Sequence, residues 1–181
     1  MLQNKKEHFI LLYENFKREL SSYCRALMVD EDDAKDLMSE TVLAAFEGFE
    51  KLKEPEKFKY FLFGIASRLF KKKLRRKKLL QFTGLEKAND RESLIKTDDA
   101  ISLNMLYRCI GKLKPGEAEA IVLFEISGCT LVEVSEIMQI NLNTAKTNVY
   151  RGRKKLQTML QPDRDILNAP INVLKTNTAV S

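Results

Sequence analysis

The chain has 181 residues, 44% hydrophobic and 31% charged, with only 7 Gly and 4 Pro and a net charge of +6. So few turn formers among so many charges favour helix over a turn-rich β fold. No apolar run approaches the roughly 20 residues that cross a bilayer, and an N-terminus with Glu7 and Glu14 around a short apolar stretch makes a poor signal peptide, so a cytoplasmic, non-membrane protein is expected.

Residues 7–28 place Phe9, Leu12, Tyr13, Phe16, Leu20 and Tyr23 at steps of three and four, and this stripe predicts one helix. Asp32 or Asp33 is then placed to cap a second helix, whose acidic first turn suits the positive end of the helix dipole. That helix presents Ala34, Leu37, Met38, Thr41, Val42, Ala45 and Phe46 on its apolar side. The run Asp30 to Asp33 lacks the glycine and distal glutamate of a calcium loop. A loop is expected from Gly48 to Pro55. A long helix comes next, from about Glu56 to Leu80, apolar at Phe58, Phe61, Leu62, Ile65, Ala66 and Leu69 before it turns basic from Lys71 to Lys78.

Charge divides sharply along this part of the chain. Residues 1–50 hold 6 basic and 11 acidic side chains, whereas residues 51–83 hold 12 basic and 2 acidic. An acidic block followed by a basic one points to two partner surfaces, one of them for nucleic acid.

Residues 83–99 are polar and aperiodic and read as a linker. A fourth helix carries Leu103, Leu106, Tyr107 and Ile110 and stops at Gly111. Pro115 opens the next, which carries Ala118, Ile121, Val122 and Phe124 and ends at Gly128. Residues 162–181 look irregular. The expected architecture is therefore all-α, with one helical domain over 1–82, the linker, a second domain over 100–161 and a tail.

Residues 130–156 hold the most specific pattern. Thr130 and Glu133 form a capping box, and a short helix is expected to bury Leu131, Val134, Ile137 and Met138. After a turn at Gln139-Ile140-Asn141, with Asn141 as cap, Leu142, Ala145, Val149, Gly152 and Leu156 share one narrow sector of the last helix. Asn143, Thr144, Thr147, Tyr150, Arg151 and Lys154 face the other way, flanked by Lys146 and Arg153. An apolar back with an amide, hydroxyl and cationic front is what a major-groove reader requires. A helical hairpin with a solvated basic face would show the same periodicity.

Chemistry has little to work with. His8 is the only histidine, and Cys24, Cys109 and Cys129 form no CxxC pair, so reduced buried thiols are expected rather than a zinc site. No nucleophile elbow, phosphate-binding loop or dinucleotide fingerprint occurs. No catalytic residue, cofactor or metal is expected.

The segment from Leu113 to Leu156 resembles region four of the extracytoplasmic-function branch of bacterial sigma factors, through Leu113, Pro115 (one residue displaced), Gly128 and the run Arg151-Gly152-Arg153-Lys154-Lys155-Leu156. The N-terminal part is similar to region two of that family, through Phe9 to Tyr13, Asp33-Ala34-Lys35-Asp36-Leu37 with Glu40 behind it, and Phe58 to Ala66. The resemblance covers about residues 6–160. Ser135 stands where the family has alanine, Gln139 where it has the turn glycine, Phe61 for a tryptophan and Arg68 for an asparagine.

The resemblance implies a factor that directs promoter recognition and transcription initiation, with RNA polymerase core enzyme, promoter DNA and an anti-sigma factor as partners. It implies that Asp33, Asp36, Ser39 and Glu40 dock on the polymerase. Tyr60, Phe61 and Arg68, with Lys71, Lys72, Arg75 and Arg76, would hold the melting promoter element, and Phe63 is a further ring able to stack on a base. Phe61 also fits the apolar stripe and would there be core. Asn143, Thr144, Lys146, Thr147, Tyr150, Arg151, Arg153 and Lys154 would meet the upstream element. The remaining alternatives are a helix-turn-helix regulator that never touches polymerase and a protein-only interaction module.

Overall fold

The computed structural model describes residues 2–28, 30–82 and 98–160, without the side chains of 2–4, 81 and 98–102. The chain divides into two compact units, Met1–Ile95 and Lys96–Ser181. Among the described residues both are helical, with no strand. The expected tail lies outside the described residues, as does the expected linker apart from its last two positions.

The first unit holds α1 (Leu2–Glu14), α2 (Lys17–Leu27), α3 (Glu31–Gly48) and α4 (Phe58–Phe82). The single helix expected over 7–28 is two. Asn15 donates its side-chain amide to the Leu11 carbonyl (3.2 Å), and Phe16 takes a non-helical backbone before α2 resumes. An Asn amide that competes for backbone carbonyls is a poor helix-interior group. The break lets Phe16 approach Phe58, with ring centroids 6.1 Å apart.

The cap of α3 is Asp30, not Asp32 or Asp33. Its extended backbone aims Oδ1 at the Asp32 and Asp33 N–H groups (2.9 and 3.2 Å), which makes those two residues donors inside the first turn. Glu56 belongs to a 3₁₀ turn at Pro55–Lys57, and α4 starts at Phe58. Another 3₁₀ turn, Phe49–Lys51, occupies the expected loop and buries Phe49.

Leu20, Tyr23, Leu37, Phe58, Leu62, Phe63 and Ala66 form the centre of this unit. Phe9 lies edge-on to Phe46, Phe49 and Phe58 at 5.4, 5.4 and 5.6 Å, an arrangement that aromatic quadrupoles favour. Thr41 is buried but satisfied, its hydroxyl donating to the Leu37 carbonyl (2.6 Å).

The second unit holds α5 (Asp98–Gly111), α6 (Pro115–Ile121), α7 (Leu131–Met138) and α8 (Leu142–Leu160). A π-helical turn, Val122–Ile126, prolongs α6, and Ser127 N–H closes it on the Val122 carbonyl (2.9 Å). The extra residue rotates the side chains around it away from the regular helical register. Phe124, expected on the apolar stripe, is only half-buried. Gly128 then takes φ +62°, which an unbranched backbone tolerates. Ile110, Ile121, Val122, Leu123, Val134, Ala145 and Val149 fill the core.

All three cysteines are free and buried, and burial pushes the Cys24 thiol up to about 12. Among the described residues no helix is long and apolar enough to cross a membrane. Among them, too, no three His, Cys, Asp or Glu side chains gather as they would around a metal ion.

Candidate nucleic-acid interface

The helix-turn-helix of α7 and α8 is built by local hydrogen bonds. Thr130 N–H donates to Glu133 Oε2 (2.6 Å), and Glu133 N–H donates to Thr130 Oγ1 (3.2 Å), so two orphan donors at the start of α7 are satisfied reciprocally. The turn reverses through Gln139 in the left-handed region (φ 57°, ψ 48°). Ile140 N–H then returns to the Ser135 carbonyl (2.9 Å). Asn141 Oδ1 accepts from Thr144 N–H (2.8 Å) and starts α8. Leu131, expected to be buried, is half-buried.

The back of α8 buries Ala145, Val149, Gly152, Leu156 and Leu160. Leu142, in the first turn of α8, does not join them and stays exposed. Gly152 sets the approach of α8 to α6. A Cβ there would lie 3.0 Å from Ile121 Cδ1 and 3.2 Å from the Glu117 carbonyl oxygen. One turn further on, Lys155 Nζ donates to Glu117 Oε2 (2.6 Å), and Lys114 N–H reaches the same oxygen at 3.4 Å. Burial pushes the Glu117 carboxyl up, but Lys155 and the Lys114 amide together hold it below the usual carboxylate range.

The front of α8 is open. Asn143, Thr144, Lys146, Thr147, Tyr150, Arg151, Arg153 and Lys154 are all exposed. Seven of these side chains form no ion pair or ring contact within the lobe among the described interactions, although the Thr147 hydroxyl donates to the Asn143 carbonyl (2.8 Å). Arg153 is the exception. Its guanidinium is paired with Glu125 and lies over the Phe124 ring, 5.2 Å from the centroid. Spacing along α8 could not reveal these partners, which the π turn brings into reach. A lone carboxylate in the apolar stretch Ile121–Ile126 was the available signal.

In the first unit, α4 is amphipathic in a second sense. Phe63 is fully buried against Tyr23 (5.5 Å), which removes it from the rings able to meet a base. Tyr60 and Phe61 are half-buried, Phe61 with its ring edge against Gly48. Beyond them Arg68, Lys72, Arg75 and Arg76 lie along the outer side, with Lys71 half-buried beside them. Steps of four, three and one from Arg68 put these four along one side, about 12 Å end to end at helical rise.

The acidic group lies on α3. Asp33, Asp36, Ser39 and Glu40 line its solvent side. Glu40 also accepts from Lys73 Nζ of α4 (2.7 Å). Beside this face is an open groove of about 580 Å³ between α1 and α3, lined by Phe9, Ile10, Tyr13, Met38, Val42 and Phe46. Met38, Val42 and Phe46 belong to the α3 stripe, which is wider than the surface that α2 and α4 cover.

Two family models match the chain: "Sigma-70 region 2" over residues 12–79 and "Sigma-70, region 4" over residues 103–156, about two thirds of the chain together. The ECF RNA polymerase sigma factor SigW of Bacillus subtilis is 25% identical over 169 residues, 86% of this chain and 90% of SigW. The RNA polymerase sigma factor CnrH of Cupriavidus metallidurans is 24% identical over 158 residues, 81% of this chain and 83% of CnrH. Among solved structures, the sigma factor RpoE of Bartonella quintana, in complex with the anti-sigma factor NepR, shares the fold with a TM-score of 0.74. That likeness covers 90% of this chain and 99% of RpoE at 22% identity.

Proposed function

The chain belongs to the sigma-70 family, in its extracytoplasmic-function branch, and we propose that it works as an RNA polymerase sigma factor in the cytoplasm, by binding alone and with no catalytic step of its own. The observation that carries this reading at residue level is α8: a helix locked from behind at Gly152, with a cationic, amide and hydroxyl front left open. Asn143, Thr144, Lys146, Thr147, Tyr150 and Arg151 meet base edges and nearby phosphates of the upstream promoter element, and Lys154 meets a phosphate.

In the first unit the cations of α4 (Arg68, Lys71, Lys72, Arg75 and Arg76) track phosphates of the opening element. Tyr60 and the exposed part of Phe61 offer π faces to an unpaired base. The acidic face of α3, at Asp33, Asp36, Ser39 and Glu40, docks on a basic surface of the polymerase. Charge complementarity there governs encounter more than final affinity. The solved relative was captured with an anti-sigma factor, and an anti-sigma factor is the expected regulator of this chain.

The regulator reading accounts for α7 and α8 but leaves the acidic face and the sigma region-two match without a role. The test is competition for core polymerase against the parent protein. Asp36→Lys should bind core enzyme with association slowed about tenfold at low salt, the difference shrinking as salt rises. Unchanged association would remove α3 from the docking surface.

A further inference from the structure

Among the described interactions, Arg153 is the one cation on the open front of α8 that pairs with a carboxylate. Its guanidinium is paired with Glu125, a carboxylate itself only 19% exposed, and covers the face of Phe124 at 5.2 Å. Both partners stand on the π turn Val122–Ile126, the one place where α6 departs from regular helix. Without the extra residue of that turn, Phe124 would continue the apolar stripe and Glu125 would point elsewhere. π turns are rare and tend to mark functional positions. The turn therefore converts two residues of a core helix into a receptor for one side chain of the DNA-facing helix.

From this we propose that Glu125 and Phe124 clamp Arg153 and thereby set the angle at which α8 presents its N-terminal half to DNA, so that Arg153 is a positioning residue and not a phosphate contact. The inference rests on the reading of α8 as the promoter-reading helix. The lever arm explains why an angular clamp matters. Ten residues separate Arg153 from Asn143, about 15 Å of helix. A tilt of about 5° at the clamp moves the Asn143 end by roughly 1.3 Å over that length, enough to break a hydrogen bond whose useful range spans about 0.5 Å. Beside it, Gly152 lets α8 lie close against Ile121, where a Cβ would come within 3.0 Å of Cδ1, and Lys155 pairs with Glu117, so that a partner at Arg153 adds a second directional contact. A guanidinium, planar and forked, supplies direction by pairing with Glu125 while lying over the Phe124 ring. An ammonium can pair and lie over a ring, as Lys5 does with Glu50 and Phe46, but as a point charge it fixes no plane.

The test uses the full chain assembled with core polymerase, on a promoter library and across a salt series, comparing parent, Glu125→Gln, Arg153→Ala and Arg153→Lys. All four are first checked by thermal melting, and Glu125→Gln, which keeps an acceptor, is the mildest change. The clamp is expected to show as a loss of base preference of about threefold or more at two or more upstream positions in all three variants. The slope of log affinity against log salt should remain that of the parent, and Arg153→Lys should behave as Arg153→Ala does. A phosphate contact gives the opposite pattern: a slope reduced by about 0.9 in Arg153→Ala, restored by Arg153→Lys, and raised in Glu125→Gln as the cation is released. That pattern, or base preference intact in all three variants, overturns the clamp. A parent holoenzyme with no upstream base preference at all overturns the promoter-reading role of α8, and the clamp with it.

Discussion

At the scale of single residues, two positions in the second unit carry measurable consequences. Gln139 occupies a left-handed conformation that costs an L-residue with a Cβ about 1–2 kcal/mol. Glycine removes that strain but gives the unfolded chain more freedom, worth about 0.4–1 kcal/mol. Gln139→Gly should therefore be neutral or raise stability by up to about 1 kcal/mol. Gln139→Val, β-branched in the same conformation, should lose about 1–3 kcal/mol. Denaturant melts of the three proteins read both, and equal midpoints would show the turn to be unstrained. Glu117 gives a pH signature. Its carboxyl is held below the ordinary 4.5, chiefly against burial, by Lys155 and the Lys114 amide. A carboxylate with a lowered folded value binds protons more readily when unfolded, so its contribution is complete above about 4.5 and is lost as pH falls through the folded value. Glu117→Gln should flatten the loss of stability below that pH. A variant whose stability falls with acid as steeply as the parent's would contradict the pairing.

At the scale of elements, the proposed function expects α8 to separate reading from holding. Lys146 stands near its start, where side chains of a recognition helix reach base edges, and Lys154 near its end, where phosphates are closer. Losing a base contact should cost about 1–3 kcal/mol at one promoter position and relax its preference. Lys154→Ala should weaken all promoters alike and lower the salt slope by about 0.9. Library selection with Lys146→Ala and Lys154→Ala checks this, and matching, position-independent losses would make α8 a basic clamp with no reading role. The sequence made α7, the turn and the outer face of α8 legible because capping and periodicity are local. The capping box and the Asn141 cap stand as expected. Two features it left hidden are local choices among neighbouring Asx residues, the Asn15 break and the α3 cap at Asp30, and the third is the π turn that carries the Phe124 and Glu125 partners of Arg153. Phe63 shows the same limit on α4. Phe61 and Phe63, two positions apart on α4, differ in burial, and Phe63 is the one that packs edge-on against Tyr23 of α2. Helical period alone could not see that.

At the scale of the whole molecule, each unit folds around its own core, and each carries a surface that the other lacks: the acidic face and basic stripe in the first, the helix-turn-helix in the second. Two weak DNA-binding surfaces on one chain become a strong one only when a third body fixes their spacing, because the second contact is then made at high effective concentration. In the proposed function the polymerase is that body. The most direct measurement is in vitro transcription from a genomic fragment library with core polymerase, with and without the purified protein, beside a binding assay of the protein alone on the same fragments. Discrete new start sites that need both components, with weak and salt-sensitive binding by the protein alone, are the expected result. Tight operator binding by the free protein, unaltered by core enzyme and with no new start sites, would contradict it.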